Sequence, residues 1–95
     1  MRVIASPNVL AKVSELGIEL LDVEYALSLL DEPPVVDRRP EHRTKPPTVW
    51  FVACNYEDIP LFIAGIWDNA NEAFILRTAR EANEQDMSRW ENRKW

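Results

Sequence analysis

The chain contains a single cysteine, a single histidine and only two glycines among 95 residues. Cys54 has no second thiol to pair with, so an internal disulfide framework is excluded. One cysteine and one histidine do not build a zinc site by themselves, and no cofactor is expected. No apolar run approaches the roughly 20 residues of a membrane span, so no membrane association is expected. The opening MRVIASPNVLAK meets a proline and a polar residue within eight positions, too short and polar for a signal peptide; a reducing cytoplasm is the expected setting. Positive charge is also scarce. Eleven Lys and Arg against 16 Asp and Glu leave a net charge of −5, which speaks against a generic nucleic-acid binder with a net positive field.

The few cations are unevenly spread, and that distribution is what the chain does offer. Nine of the 11 lie in Arg38–Lys45 and Arg77–Lys94, whereas residues 48–72 hold four acids and no cation. The stretch Asp37–Phe51, DRRPEHRTKPPTVWF, gathers Arg38, Arg39, Arg43 and Lys45 with His42 and three prolines. Proline fixes φ and lowers the entropy lost when a loop is held in one shape. An ordered loop displaying Arg, His and Lys suits a bound anion, with phosphate the commonest candidate. If the fold joins the two cationic regions, an acidic protein carries one basic patch; a solvated charged face is the plainer alternative.

Hydrophobic patterning outlines a single domain over residues 1–95. Arg2–Ala5 reads as an opening strand. Ser6-Pro7 reads as N-cap and first helical residue, with Val9, Leu10, Val13 and Leu16 on one face and Gly17 as the stop. A second helix lies within residues 20–30, where Val23, Ala26, Leu27 and Leu30 repeat at helical spacing and Pro33-Pro34 closes the segment. After a short strand and the proline-rich loop, Thr48–Cys54, Leu61–Trp67 and Ala73–Ala79 are rich in β-branched and aromatic residues, consistent with successive hairpins. Gly65 inside the middle strand predicts a bulge or a close backbone approach. Asn83, with Asp86 three residues on, opens a last helix through Met87 and Trp90. The expected class is α+β in the order β-α-α-β-β-β-β-α, with two N-terminal helices packed on one face of a curled antiparallel sheet.

These residues carry a resemblance. The opening VI-x-SP-x-VL (Val3–Leu10), the central D-x-R-x-x-H-[RK]-T-x-PPT-x-WF (Asp37–Phe51) and the closing Ala79-Arg80-Glu81-Ala82-Asn83 followed by Trp90 are similar to a family of small bacterial proteins. Members often bear the name ADP-ribosyl-(dinitrogen reductase) hydrolase. In element order, in the segment Gly17–Leu27 and in Thr78-Ala79-Arg80, the chain also resembles BrnT-like toxins of the RelE/ParE superfamily. The second resemblance implies a RelE/ParE-like fold, a toxin-type role in a type II toxin–antitoxin system, possible metal-independent ribonuclease activity and an antitoxin partner. The hydrolase name implies two magnesium ions caged by many aspartates in a large helical domain, which 95 residues with a β-meander do not supply in an obvious way.

Metal-independent RNA cleavage needs a base for the 2′-hydroxyl proton, cations to stabilise charge developing on phosphorus, and an acid for the leaving oxygen. His42 is the one side chain whose ordinary pKa lies near neutrality. Glu41 or Glu81 serves as base if burial raises its pKa. His42, Arg80 and Glu81 are the catalytic candidates, and Arg39, Arg43, Lys45 and Arg77 the phosphate-binding ones. The structural alternatives are a loop-capping His42, an Arg80 salt bridge to an acid on the last helix such as Glu84, and cross-strand pairing of Arg77. Four tryptophans are the other unusual feature. Trp50 reads as packing, while Trp67, Trp90 and Trp95 are candidates for an interface with an antitoxin or a second copy of the chain. Docking of the last helix is the alternative for Trp90. A non-catalytic protein-interaction or anion-binding module on the same scaffold stands beside the ribonuclease reading.

Overall fold

The computed structural model describes residues 1–42 and 45–93. Its elements are β1 (Arg2–Ile4), α1 (Pro7–Glu15), α2 (Leu20–Ser28), β2 (Val35–Val36), a 3-10 turn (Pro40–His42), β3 (Thr48–Cys54), β4 (Pro60–Asp68), β5 (Ala73–Glu81) and α3 (Glu84–Glu91). The fold is α+β; the described residues form three helices and an open five-stranded sheet in the order β1-β5-β4-β3-β2.

Local chemistry sets the helix ends. Ser6 caps α1, its hydroxyl accepting the Val9 amide, and Pro7 fills the first helical position. Past Leu16 the chain leaves the helix through Gly17 at φ +77°, a left-handed conformation that glycine adopts without strain. Leu16, expected on the buried face, is 61% exposed at this exit. In α2, the Asp22 carboxylate accepts the Glu19 amide at 2.9 Å and closes the first turn. This helix stops at Ser28, well before Pro33-Pro34, because the Leu29 and Leu30 amides bond back three residues to the Ala26 and Leu27 carbonyls and tighten the last turn.

The sheet departs from expectation in one respect: it is mixed, not antiparallel. β2, β3, β4 and β5 pair antiparallel in turn, whereas β1 runs parallel to β5, with Val3 opposite Phe74. Parallel neighbours need a long crossover between them. Here both N-terminal helices and three strands intervene, so no local pattern announces the pairing. Strand alternation then divides the side chains between two faces. One face carries Phe51, Leu61, Ile63, Phe74 and Leu76, fully buried beneath Val13 of α1 and Val23 and Ala26 of α2. Each large side chain so buried stabilises the fold by about 1.5–3 kcal/mol. The opposite face carries Thr48, Trp50, Phe62 and Arg80 and receives α3.

Candidate anion-binding groove

α3 covers only part of that second face. Trp90 docks edge-on against Trp50 at 5.9 Å between ring centroids, Trp50 stacks on Phe62 at 5.7 Å, and the Arg80 guanidinium lies 4.4 Å over Phe62. Arg93 closes the far end of this ladder, 4.0 Å over the Trp90 ring. Cation–aromatic and offset aromatic contacts of this kind add specific geometry to apolar burial.

Arg80 also anchors α3 by charge. Its guanidinium donates to both oxygens of Asp86, Nη2 to Oδ1 at 2.9 Å and Nη1 to Oδ2. Asp86 is 3% exposed and also caps its own helix. Its Oδ2 accepts the Asn83 amide (3.0 Å), while the Asp86 amide donates to Asn83 Oδ1 (2.8 Å). The Arg80 hydrogen bonds hold its carboxyl below the usual aspartate range despite burial, with help from the Asn83 amide and the Arg89 charge. The salt bridge from Arg80 to the last helix is thus made by Asp86 and not by Glu84.

Between α3, the open part of the sheet and the segment after β2 lies a groove of about 510 Å³. Arg38 and Arg39 line it from the β2 side, Arg77 and Thr78 from β5, Arg89 from α3, and Trp50, Phe62 and Ala64 from the sheet. The Asp37 amide donates to the Thr48 carbonyl at 2.8 Å, continuing the β2–β3 ladder and fixing where the arginines start. Asp37 then grips Arg39, Oδ1 accepting Nε at 3.1 Å and Oδ2 accepting Nη2 at 2.8 Å, which also raises the Arg39 pKa. A guanidinium has five N–H donors, so this pair leaves Arg39 able to bind a further acceptor.

Arg77 enters the groove by a bulge. Ala64 pairs with Thr78 and Gly65 with Leu76, so Arg77 is the extra residue with no partner opposite. A Cβ on Gly65 would sit 2.3 Å from the Ile75 carbonyl oxygen, so the close approach at this irregularity requires glycine. Leu76 stays in the core while Arg77 and Thr78, both exposed, line the groove together. The cross-strand pairing considered for Arg77 does not form: it makes no ion pair among the described residues.

Neither a family model, nor a curated protein, nor a solved structure matches the chain.

Four guanidiniums line the groove against three carboxylates, Asp37, Glu41 and Asp86. Asp37 is held by Arg39, and Asp86 by Arg80 from outside the lining, so the balance within the groove remains positive. Such a site suits a phosphate flanked by an apolar or aromatic group. Among the described residues no three His, Cys, Asp or Glu side chains converge as metal ligands.

Of the residues singled out from sequence, Arg39 and Arg77 meet in the groove and Arg80 lies behind it, engaged by Asp86. Glu81 stands one residue beyond Arg80, opposite Leu61, and so on the other face of the sheet. Glu41 lines the groove, and His42 ends the turn beside it; the His42 side chain lies outside the described part of the structure. Lys45 is exposed and does not line the groove. Arg43 and Trp95 lie outside the described residues. Trp67 packs on Phe74 at 6.2 Å and Trp90 on Trp50, so both tryptophans are engaged within the fold. Sequence reasoning passed over Arg89. Its three-residue spacing from Asp86 was the available signal, since that places both on one helical side.

Proposed function

We propose that the chain is a RelE/ParE-like, BrnT-like protein of the toxin–antitoxin type that engages RNA phosphodiesters in the groove, working in the cytoplasm beside an antitoxin partner. The observation that carries this reading is the meeting of the two cationic regions: Arg38 and Arg39 face Arg77 and Arg89 across one cleft floored by Trp50 and Phe62. Guanidiniums bind phosphate oxygens in pairs, and the packed rings of Trp50 and Phe62 beneath them give the arginines a firm base. An acidic exterior then confines the nucleic acid to this cleft. For cleavage, Glu41 is the carboxylate at hand as base, with the arginines stabilising charge on phosphorus.

One geometric fact favours the non-catalytic form of the same reading. Arg80 is engaged by Asp86, and Glu81 stands across the sheet, so two of the three catalytic candidates are directed away from the groove. A module that binds RNA without cutting it is consistent with that arrangement.

The test is fluorescence anisotropy with a labelled single-stranded RNA. Four phosphate contacts, one for each groove arginine, predict an affinity loss of about 50-fold between about 50 and 200 mM salt. Arg77→Ala is expected to weaken binding about fivefold to tenfold and to flatten the salt dependence by about one contact. Affinity indifferent to salt and to Arg77 would sink the proposal. Gel analysis of the same RNA separates the two forms, cleavage abolished by Glu41→Gln supporting the nuclease.

A further inference from the structure

We infer that the outer side of α2, together with Tyr56, docks a basic amphipathic helix of a protein partner. α2 turns Val23 and Ala26 into the core, so its opposite side should be polar. Instead Leu21, Tyr25 and Leu29 follow one another at four-residue spacing, 62%, 40% and 49% exposed. Tyr56, 59% exposed, meets Tyr25 edge-on at 6.1 Å between centroids and widens the row beyond the helix. Its position is set by a rigid turn: buried Asn55 accepts the Glu57 amide at 2.9 Å and the Ile59 amide at 3.0 Å on the same Oδ1. A surface already held in shape loses little freedom on binding.

Charge selects the occupant. Glu24 adjoins Tyr25, and Glu57 and Asp58 adjoin Tyr56; all three are exposed. The segments that build this surface contain no Lys or Arg over residues 13–37 and 46–76. At the far end of the row Glu32 is taken up by Arg93, so the acidic rim is densest around the tyrosine pair. RNA is repelled here. A second copy using the same face in a two-fold dimer would set acids against acids. A helix with apolar residues at i, i+3, i+4 and i+7 flanked by Lys and Arg matches both the row and its rim. α2 packs on the sheet face opposite the groove, so the two sites can be occupied together and the inference does not rest on RNA binding.

The probe is a synthetic amphipathic Leu/Lys helix of about eighteen residues, titrated into the full chain by anisotropy, with a Leu/Glu helix of the same pattern as control. The Lys peptide is expected to bind and to weaken as salt rises, and the Glu peptide to show no saturable binding. Leu21→Ser with Leu29→Ser, and separately Glu24→Lys with Glu57→Lys, should each cost about tenfold in affinity. Both pairs lie on the surface, so unchanged melting confirms folding. Arg77→Ala should leave peptide affinity as it was, which separates this site from the groove. Equal binding of both peptides, or insensitivity to both double variants, overturns the inference. So does a concentration-dependent dimer dispersed by Leu21→Ser with Leu29→Ser, which would assign the face to a second copy.

Discussion

The two faces of the sheet are made by the same strands yet obey different rules. On the helix-covered face, Phe51, Ile63, Phe74 and Leu76 meet Val13, Val23 and Ala26 in a closed apolar layer. On the other, Trp50 and Phe62 are interleaved with guanidiniums, and α3 is fastened at Arg80–Asp86 and Trp50–Trp90 while the rest stays open. Closure on one side supplies stability. That allows the other side to keep arginines facing solvent above the Trp50–Phe62 layer, a composition that would make a poor core.

The contrast breaks most severely from the core side. Phe51→Ala removes a fully buried ring that also touches Phe74 at 5.8 Å, and is expected to destabilise by about 3–5 kcal/mol in urea unfolding. At the low end of ordinary domain stability this approaches the whole margin. A loss under about 1 kcal/mol would mean that the helix-covered face is not the stabilising layer.

A smaller effect is expected where α3 is fastened. Asp86→Asn keeps the shape but removes the charge that Arg80 binds. The carboxylate is buried while the Arg80 side chain is 41% exposed, so solvent screening trims the cost of a broken buried pair to about 2–3 kcal/mol. The pH dependence gives a sharper signature. A carboxyl whose folded pKa is lowered stabilises fully above its unfolded value, near pH 4, and loses that contribution as pH falls through the folded value. Wild type should therefore lose more stability than Asp86→Asn on acidification below about pH 4, measured by thermal melts. Parallel acid curves would show that the pair contributes nothing.

How far the two faces were legible in the sequence follows from the range of the signals. Thr48–Cys54 reads as a strand and is one over those same residues, because β-branched and aromatic side chains declare it locally. Ser6-Pro7, Gly17 and the Asn83–Asp86 box mark helix ends for the same reason. The parallel partner of β1 is invisible locally, since more than 60 residues separate Val3 from Phe74. In the groove, Arg39 and Arg77 stand out by residue type, but Arg89 and the Arg80–Asp86 lock depend on where α3 lands. Glu81 stands away from the groove through alternation: one residue past Arg80 means the opposite face.

The smallest expected effect on stability, with the most to say about how the faces are kept apart, belongs to Gly65. Its missing Cβ lets the chain close to the Ile75 carbonyl oxygen, where an added methyl carbon would lie 2.3 Å away, and the bulge across from it frees Arg77 from the ladder. Gly65→Ala has to push the two strands apart or move the irregularity along them. Backbone yields less readily than a flexible side chain, and the Phe74 ring lies within 2.8 Å as well, so a cost of about 1–3 kcal/mol is expected. Moving the irregularity changes where Arg77 points, because one residue of slip exchanges the faces of every side chain beyond it. Gly65→Ala should then weaken RNA binding about as much as Arg77→Ala does. The double variant should be no weaker than Gly65→Ala alone, since residues acting through one contact are non-additive. Fully additive losses would show that the bulge and Arg77 act separately, and that the groove owes its cation to something other than the glycine.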